Sequence, residues 1–195
     1  MPATDDESLA LGVHRCHPGA FDRLVERYEP SLFNYANRIL GNAFDAQEVV
    51  QDAFLRAHEA ITRQYDEGRV TTLTLKPWLF RIVRNLSFNK RRGGASKLDE
   101  PLTAFDDNRI GPLVLACSVS AGIERQQERE ALDRAIANLP EESRELIVLR
   151  FMEEMSYAEM AGIVGQGEAA LRGRVFRSLK LLREALVESE VHHEM

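Results

Sequence analysis

Arg172, Arg174, Phe176, Arg177 and Lys180 crowd into one stretch near the C-terminus, and no acid interrupts the chain from Arg172 to Arg183. Guanidinium forks match phosphate oxygens and the O6/N7 edge of guanine, and a phenyl ring can touch a thymine methyl. Those residue types suggest recognition of nucleic acid rather than bond-making chemistry. A second strip, Lys76 to Lys97, carries seven Lys/Arg and again no acid. The two strips hold 12 of the 25 basic residues, so the rest of the chain sets 13 bases against all 31 acids. A chain of net charge −6 can still bind a polyanion when its cations are concentrated, because local potential steers the encounter.

Within the second strip, "PWLFRIVRNLSFNKRR", a packing arc forms from Trp78, Leu79, Ile82, Val83 and Leu86. Arg81, Arg84, Arg91 and Arg92 share the opposite side with Phe80 and Phe88. Cations interleaved with exposed rings suit single-stranded or unstacked bases. The alternative for this strip is an ordinary amphipathic helix whose arginines snorkel to water. "DAQEVVQDAF" has the opposite polarity. At about 100° per residue, Asp45, Glu48, Asp52 and Glu59 fall across the helix from Val50, Phe54, Ala57 and Ile61. An acidic helix near a basic one implies two different partners, although a solvated acidic face is the ordinary case.

Helices must present these faces. Residues 19–92 read as helical, with Phe21, Leu24, Val25 and Tyr28 at helical spacing and Gly41-Asn42 as a turn. "QYDEGRVTTLTLKP" reads as a loop, and Pro77 suits the first turn of the following helix. Residues 93–123, with Gly93-Gly94, Pro101, Gly111-Pro112 and several acids, read as an acidic flexible linker in which "PLVLA" can dock. The helical pattern resumes over 124–187. There "MSYAEM" offers a capping box (Ser156 with Glu159) and a hydrophobic staple (Met155 with Met160). Gly165 suits a helix C-cap, and a new helix starts near Glu168. Its buried stripe is expected to be Leu171, Val175, Leu179, Leu182 and Leu186, with the basic residues fanned across the other side. A short helix, a glycine turn and a second helix with a basic outer face make a helix-turn-helix. An αα-hairpin with solvated arginines is the competing reading. The capping box, the turn and the acid-free face together favour DNA.

The composition, 44% hydrophobic and 29% charged with 7% aromatics, fits a helical, well-solvated chain. The acidic start (Asp5, Asp6, Glu7) is unlike a signal peptide, no apolar run approaches the roughly 18 residues of a membrane span, and the cytoplasm is the expected location. Cys16 and Cys117 form no CxxC. His14, Cys16 and His17, or His192, His193 and Glu194, match no common metal spacing, so no metal or other cofactor is expected. No phosphate loop, nucleophile elbow or HExxH signature occurs, hence no catalytic residue is assigned.

The motifs "DAQEVVQDAFLRA", "WLFRIVRNL", "LPEESRELIVLRFMEEMSYAEMAGIVG" and "LRGRVFRSLKLLRE", in this order, resemble bacterial RNA polymerase sigma factors of the extracytoplasmic-function class. The resemblance implies an all-α fold of two small helical domains. Sigma region two would span 19–92 and region four, the helix-turn-helix, 124–187. The linker would join them, with tails at 1–18 and 188–195. It implies core RNA polymerase, promoter DNA and an anti-sigma factor as partners, no membrane insertion, and no catalytic activity in the chain itself. It puts Asp45, Glu48, Gln51 and Asp52 against the polymerase clamp helices. Lys76, Arg84, Asn85, Asn89, Lys90 and Arg91 would meet the minus-ten element, and Arg172, Arg174, Phe176, Arg177 and Lys180 the minus-thirty-five element. Where the family usually has Val-Gly-Thr-Val this chain has Glu168-Ala169-Ala170-Leu171, Gly173 replaces a usual Ser, and the loop before Trp78 is longer. A polymerase-independent helix-turn-helix regulator, with a first body that senses or dimerises, is the alternative. A helical adaptor without DNA contacts would leave both basic strips unexplained.

Overall fold

The computed structural model describes residues 5–93 and 123–191. Helix α1 (Asp5–His14) leads into α2 (Ala20–Leu40), α3 (Ala43–Glu59), α4 (Glu67–Thr71) and α5 (Leu75–Arg91). The second body holds α6 (Ile123–Asn138), α7 (Glu141–Ile147), α8 (Tyr157–Val164) and α9 (Glu168–Val191). The described residues form an all-α fold. The sequence-based linker, with "PLVLA" and Cys117, lies outside them, as does the His192–Glu194 cluster.

In the first body α2, α3 and α5 pack against one another. Their shared interior holds Leu24, Leu32, Tyr35, Ile39, Val50, Ala53, Leu79 and Val83. Pro30 sits inside α2 without ending it. An interior proline costs a helix about 3 kcal/mol, and burial of Tyr28, Leu32 and Tyr35 on that helix offsets it. Gly41 ends α2 in the left-handed region at φ 68°, a conformation cheap only for glycine. Asn42 then caps α3, its side-chain oxygen accepting from the backbone N–H of Phe44 at 2.9 Å. Pro77 occupies the first turn of α5, where an N–H would have had no helical partner.

Two stretches differ from the sequence reading. Residues 1–18 are not simply a tail, because α1 packs on α2 and buries Ala10 and Val13. The long piece before Trp78 is not simply a loop either. A π-helical turn (Ala60–Gln64) extends α3, and α4 follows, capped by Asp66 accepting from the Arg69 N–H at 2.8 Å and anchored by buried Val70. α1 fastens this insertion. The His14 ring Nδ1–H donates to the Ile61 carbonyl at 2.7 Å, and Arg15 pairs with Glu67. Local cap chemistry and a tertiary neighbour together fold what the sequence reading took for a loop.

In the second body α9 packs along α6, α7 and α8. Arg144 is almost fully buried and closes the end of α6. Its guanidinium donates to the carbonyls of Ile136 at 3.2 Å, Ala137 at 2.6 Å and Leu139 at 2.8 Å. Ile136 and Ala137 lie in the last turn of α6, where carbonyls lack the usual helical partner, and Leu139 follows just past it. Burial pushes this guanidinium down to about 10, and it remains charged at neutral pH. After α7 a second π-helical turn (Val148–Met152) leads to Glu154 in the left-handed region at φ 54°, and the chain reverses into α8. The two bodies are in contact. α8 lies against α5, and the Tyr35 hydroxyl on α2 donates to Glu145 on α7 at 2.8 Å.

Candidate nucleic-acid interface

Ser156 and Glu159 form a reciprocal capping box at the start of α8, with the Ser156 N–H donating to Glu159 at 2.8 Å and the Glu159 N–H to the Ser156 hydroxyl at 3.2 Å. Met155 and Met160 are both buried beside it. Gly165 closes α8 at φ 74°, and the chain enters α9 with the Leu171 N–H donating to the Gly167 carbonyl. The inner side of α9 consists of Leu171, Val175, Ser178 and Leu182. Leu179, expected in that stripe, is instead 39% exposed, and Ser178 takes its place. A spacing of four, three and four keeps these residues on one line of a helix.

Arg172, Phe176, Arg177 and Lys180 occupy the outer side. Phe176 is 73% exposed. Arg172 pairs with Glu168 at 3.2 Å and Lys180 with Glu184 at 3.8 Å, all on well-exposed side chains. Exposed pairs of this kind are worth roughly 0–1 kcal/mol and yield readily to a phosphate. Arg174 is different. It lies three residues after Leu171 and four before Ser178, which turns it inward, where it donates to Gln166 at 2.5 Å and pairs with Glu142 on α7. The outer fan read from sequence therefore loses Arg174. It gains two residues that the sequence did not single out. The guanidiniums of Arg150 and Arg172 both lie over the Tyr157 ring, 5.3 Å and 5.2 Å from its centroid. Nothing in the local spacing joins Arg150 to Arg172. Only the fold of α8 against α9 does.

The basic strip of α5 is much less open. Phe80 and Phe88, expected among exposed arginines, are buried. Phe80 packs on Tyr35 with ring centroids 5.2 Å apart, and Phe88 lies under the Arg84 guanidinium at 4.5 Å. The single-helix arc could not foresee this, because it records neither Tyr35 on α2, on which Phe80 packs, nor Glu145 of the second body, which holds Arg84 over Phe88. Arg84 donates to Glu145 at 2.7 Å, with the two side chains 11% and 1% exposed. Arg91 donates to Glu141 at 2.7 Å, and the Lys76 ammonium donates to the Glu153 carbonyl at 2.6 Å. Asn85 is half-buried and Asn89 exposed. Burial raises the Tyr35 hydroxyl well above its ordinary value, and burial likewise raises the Glu141 and Glu153 carboxyls.

Lys90 joins the basic strip to the acidic face of α3, bonding Glu48 at 2.9 Å and Asp45 at 3.1 Å. Its hydrogen bond to Glu48, ahead of burial, holds its ammonium more firmly protonated than usual. Gln51 is exposed, and Asp52 pairs with Arg56 at 3.3 Å. Phe44 and Leu55, 77% and 69% exposed, flank these polar groups on the same side of α3. The sequence reading passed over both. The signal was present, since at 100° per residue neither falls on the arc of Val50, Phe54 and Ala57. Phe44 and Leu55 add apolar surface to an otherwise acidic face. Among the described residues no group of three His, Cys, Asp or Glu is placed to hold a metal ion, and no helix is long and apolar enough to cross a membrane.

Residues 24–96 match the family described as Sigma-70 region 2, and residues 129–182 match Sigma-70, region 4. The chain is 28% identical over 188 residues to the RNA polymerase sigma-H factor of Pseudomonas aeruginosa, spanning 93% of each. It is 29% identical over 186 residues to the ECF RNA polymerase sigma-E factor of Escherichia coli, spanning 93% of this chain and 92% of that one. Among solved structures it resembles CnrH in complex with the cytosolic domain of CnrY, with a TM-score of 0.65 and 25% identity over 94% of this chain and 97% of that one.

Proposed function

Because this chain belongs to the sigma-70 family, in its extracytoplasmic-function class, we propose that it directs core RNA polymerase to a set of promoters through two separate DNA-reading faces and one polymerase-docking face. It is a specificity subunit of RNA polymerase and carries no catalytic activity of its own. Arg172, Phe176, Arg177 and Lys180 on α9 read the minus-thirty-five element in the major groove, with Arg150 and Tyr157 against the adjacent phosphates. Arg84, Asn85, Asn89, Lys90, Arg91 and Lys76 on α5 meet the minus-ten element as it opens. Asp45, Glu48, Gln51 and Asp52, together with Phe44 and Leu55, dock on the polymerase. An anti-sigma factor controls the chain, and it works in the cytoplasm, where polymerase and promoter are.

The single observation that supports the reading most is the outer side of α9. Behind a glycine turn and a capped helix, it offers cations and one ring on exposed side chains whose ion pairs, among the described residues, are weak and solvated. A helix docked in the major groove can make bidentate contacts to guanine and apolar contacts to thymine from such a face. The test is promoter-specific transcription by purified core polymerase, with and without the chain, on several candidate promoters that include its own upstream region. Specific initiation only when the chain is present is the expected result. Sequence-specific DNA binding that needs no core polymerase would instead describe an independent regulator.

A further inference from the structure

A helix seated in the major groove meets base edges with its N-terminal residues, and the first turn of α9 carries an acid, Glu168. A carboxylate brought among phosphates costs affinity for every sequence unless it meets a donor. Glu168 already has one. Its Oε2 accepts from Arg172 Nη2 at 3.2 Å, one helical turn on, and the same guanidinium lies over the Tyr157 ring of α8, 5.2 Å from the centroid. The Glu168 and Arg172 side chains are 46% and 63% exposed, so a ligand reaches both together. The other outward pair, Lys180 with Glu184, is looser at 3.8 Å and lies roughly three turns further along α9, away from that end.

We propose that Glu168 is a specificity-determining residue, which holds the Arg172 fork for a guanine and itself accepts from the amino group of a cytosine in the adjoining base pair. This rests on the reading of α9 as the minus-thirty-five helix. A guanidinium has five N–H donors. Glu168 takes one, and four remain for the O6 and N7 acceptors of guanine. The carboxylate and the Tyr157 ring fix the fork before DNA arrives, so less rotamer freedom is lost on binding. An ionised carboxylate only accepts. In the major groove cytosine presents its N4 amino group alone, guanine and thymine present acceptors, and adenine sets N7 beside its amino group. Cytosine is therefore the base that Glu168 favours. The 3.2 Å from Oε2 to Nη2 is close to the roughly 3.4 Å rise between stacked bases, so the couple spans two neighbouring pairs. Glu168 stands where the family usually carries valine, which can neither hold a guanidinium nor accept a hydrogen bond.

The test incubates holoenzyme, core polymerase with the full-length chain, with promoters randomised across the upstream element, and sequences the bound fraction. The wild type is expected to prefer cytosine by about tenfold at a pair next to the guanine whose preference Arg172→Ala relaxes. Glu168→Ala should abolish the cytosine preference and blunt the guanine preference beside it. Glu168→Gln should move the first preference to adenine, whose N6 and N7 an amide bonds together. Circular dichroism checks folding, and a loss of folded protein would lower binding to all sequences alike without moving either preference. Any other base, or none, preferred beside that guanine in the wild type overturns the proposal. Uniform tightening of Glu168→Ala on every sequence also overturns it, because Glu168 would then only oppose phosphate. Arg172→Ala, Phe176→Ala and Arg177→Ala separate the two ideas. If they relax the profile while both Glu168 variants leave it intact, only this proposal falls. If no α9 variant changes the profile, the reading of α9 falls with it.

Discussion

Lys90 on α5 donates to Glu48 on α3 at 2.9 Å, so a residue assigned to DNA and a residue assigned to polymerase share one ion-pair network. The Asp45 carboxylate completes it at 3.1 Å. The two faces proposed for the first body therefore meet along an edge, and a change in one alters the charge presented by the other.

Reversing Asp45, Glu48 and Asp52 to Lys sets three cations beside Lys90 and Arg56. Because these pairs are on the surface, each should cost about 1 kcal/mol or less of stability, and the helical circular dichroism should survive. Affinity for core polymerase should collapse, since like charges at a complementary interface cost several kcal/mol. Leu55→Glu, on a side chain 69% exposed in the free chain, should shift stability by less than about 0.5 kcal/mol and still weaken core binding. Unchanged fluorescence-anisotropy titrations against core polymerase for both variants would remove this face from the docking surface.

Arg174→Ala should separate from its neighbours on α9. Arg172→Ala or Arg177→Ala should cost about 1–3 kcal/mol of promoter binding and relax preference at one base pair, while Lys180→Ala should weaken all sequences alike. Arg174→Ala breaks the link from α9 to Glu142 and Gln166 and should lower stability by about 1 kcal/mol, a melting shift of roughly 2–4 °C. Its sequence profile on a panel of upstream-element variants should match wild type. A changed base preference for Arg174→Ala would mean that its side chain leaves α7 to reach DNA.

Two glycines of the helix-turn-helix should respond to alanine with opposite signs. Gly165 sits at φ 74°, where a Cβ is strained whatever the free space, so Gly165→Ala should destabilise by about 1 kcal/mol or more. At Gly173, inside α9, an added Cβ meets Arg177 Nη1 at 3.8 Å, an ordinary contact. Helix propensity then favours Gly173→Ala by up to about 1 kcal/mol. Denaturant unfolding of the two variants decides it, and equal signs would contradict the geometry.

Glu153 sets a pH dependence. Burial raises its carboxyl above the ordinary 4.5, outweighing the opposing pull of Lys76 and the Ser31 hydroxyl. The folded state thus keeps a proton that the unfolded chain has already released, and stability falls as pH climbs through the window just above 4.5. Glu153→Gln keeps a hydrogen-bond acceptor for Ser31 and removes the charge. The variant should be more stable than wild type at pH 7, and the difference should shrink as pH falls below 4.5. A difference that grows on acidification would show that the carboxylate, and not its burial, is what the site favours.

The sequence by itself determined what depends on interactions within one or two helical turns. Asn42 and Ser156 cap, Gly41 and Gly165 end helices, and Leu24, Val50, Leu79 and Val175 face inward because a 100° step puts them on the packing arc. Phe44 and Leu55 were open to the same arithmetic. Tertiary structure alone decided what covers the side of a helix that faces away from its own core. Periodicity assigned Phe80, Phe88 and Arg84 to that side of α5, yet Glu145, 61 residues beyond Arg84, takes its charge out of solvent. The exchange of Leu179 for Ser178 follows from the same 100° step, which keeps Ser178 on the line of Leu171, Val175 and Leu182, whereas the partner that Arg174 meets, Glu142, comes from α7. A helix repeats every 3.6 residues and so fixes the direction of each side chain from the sequence. The neighbour that each one meets depends on contacts between residues far apart in the chain, which no local spacing records.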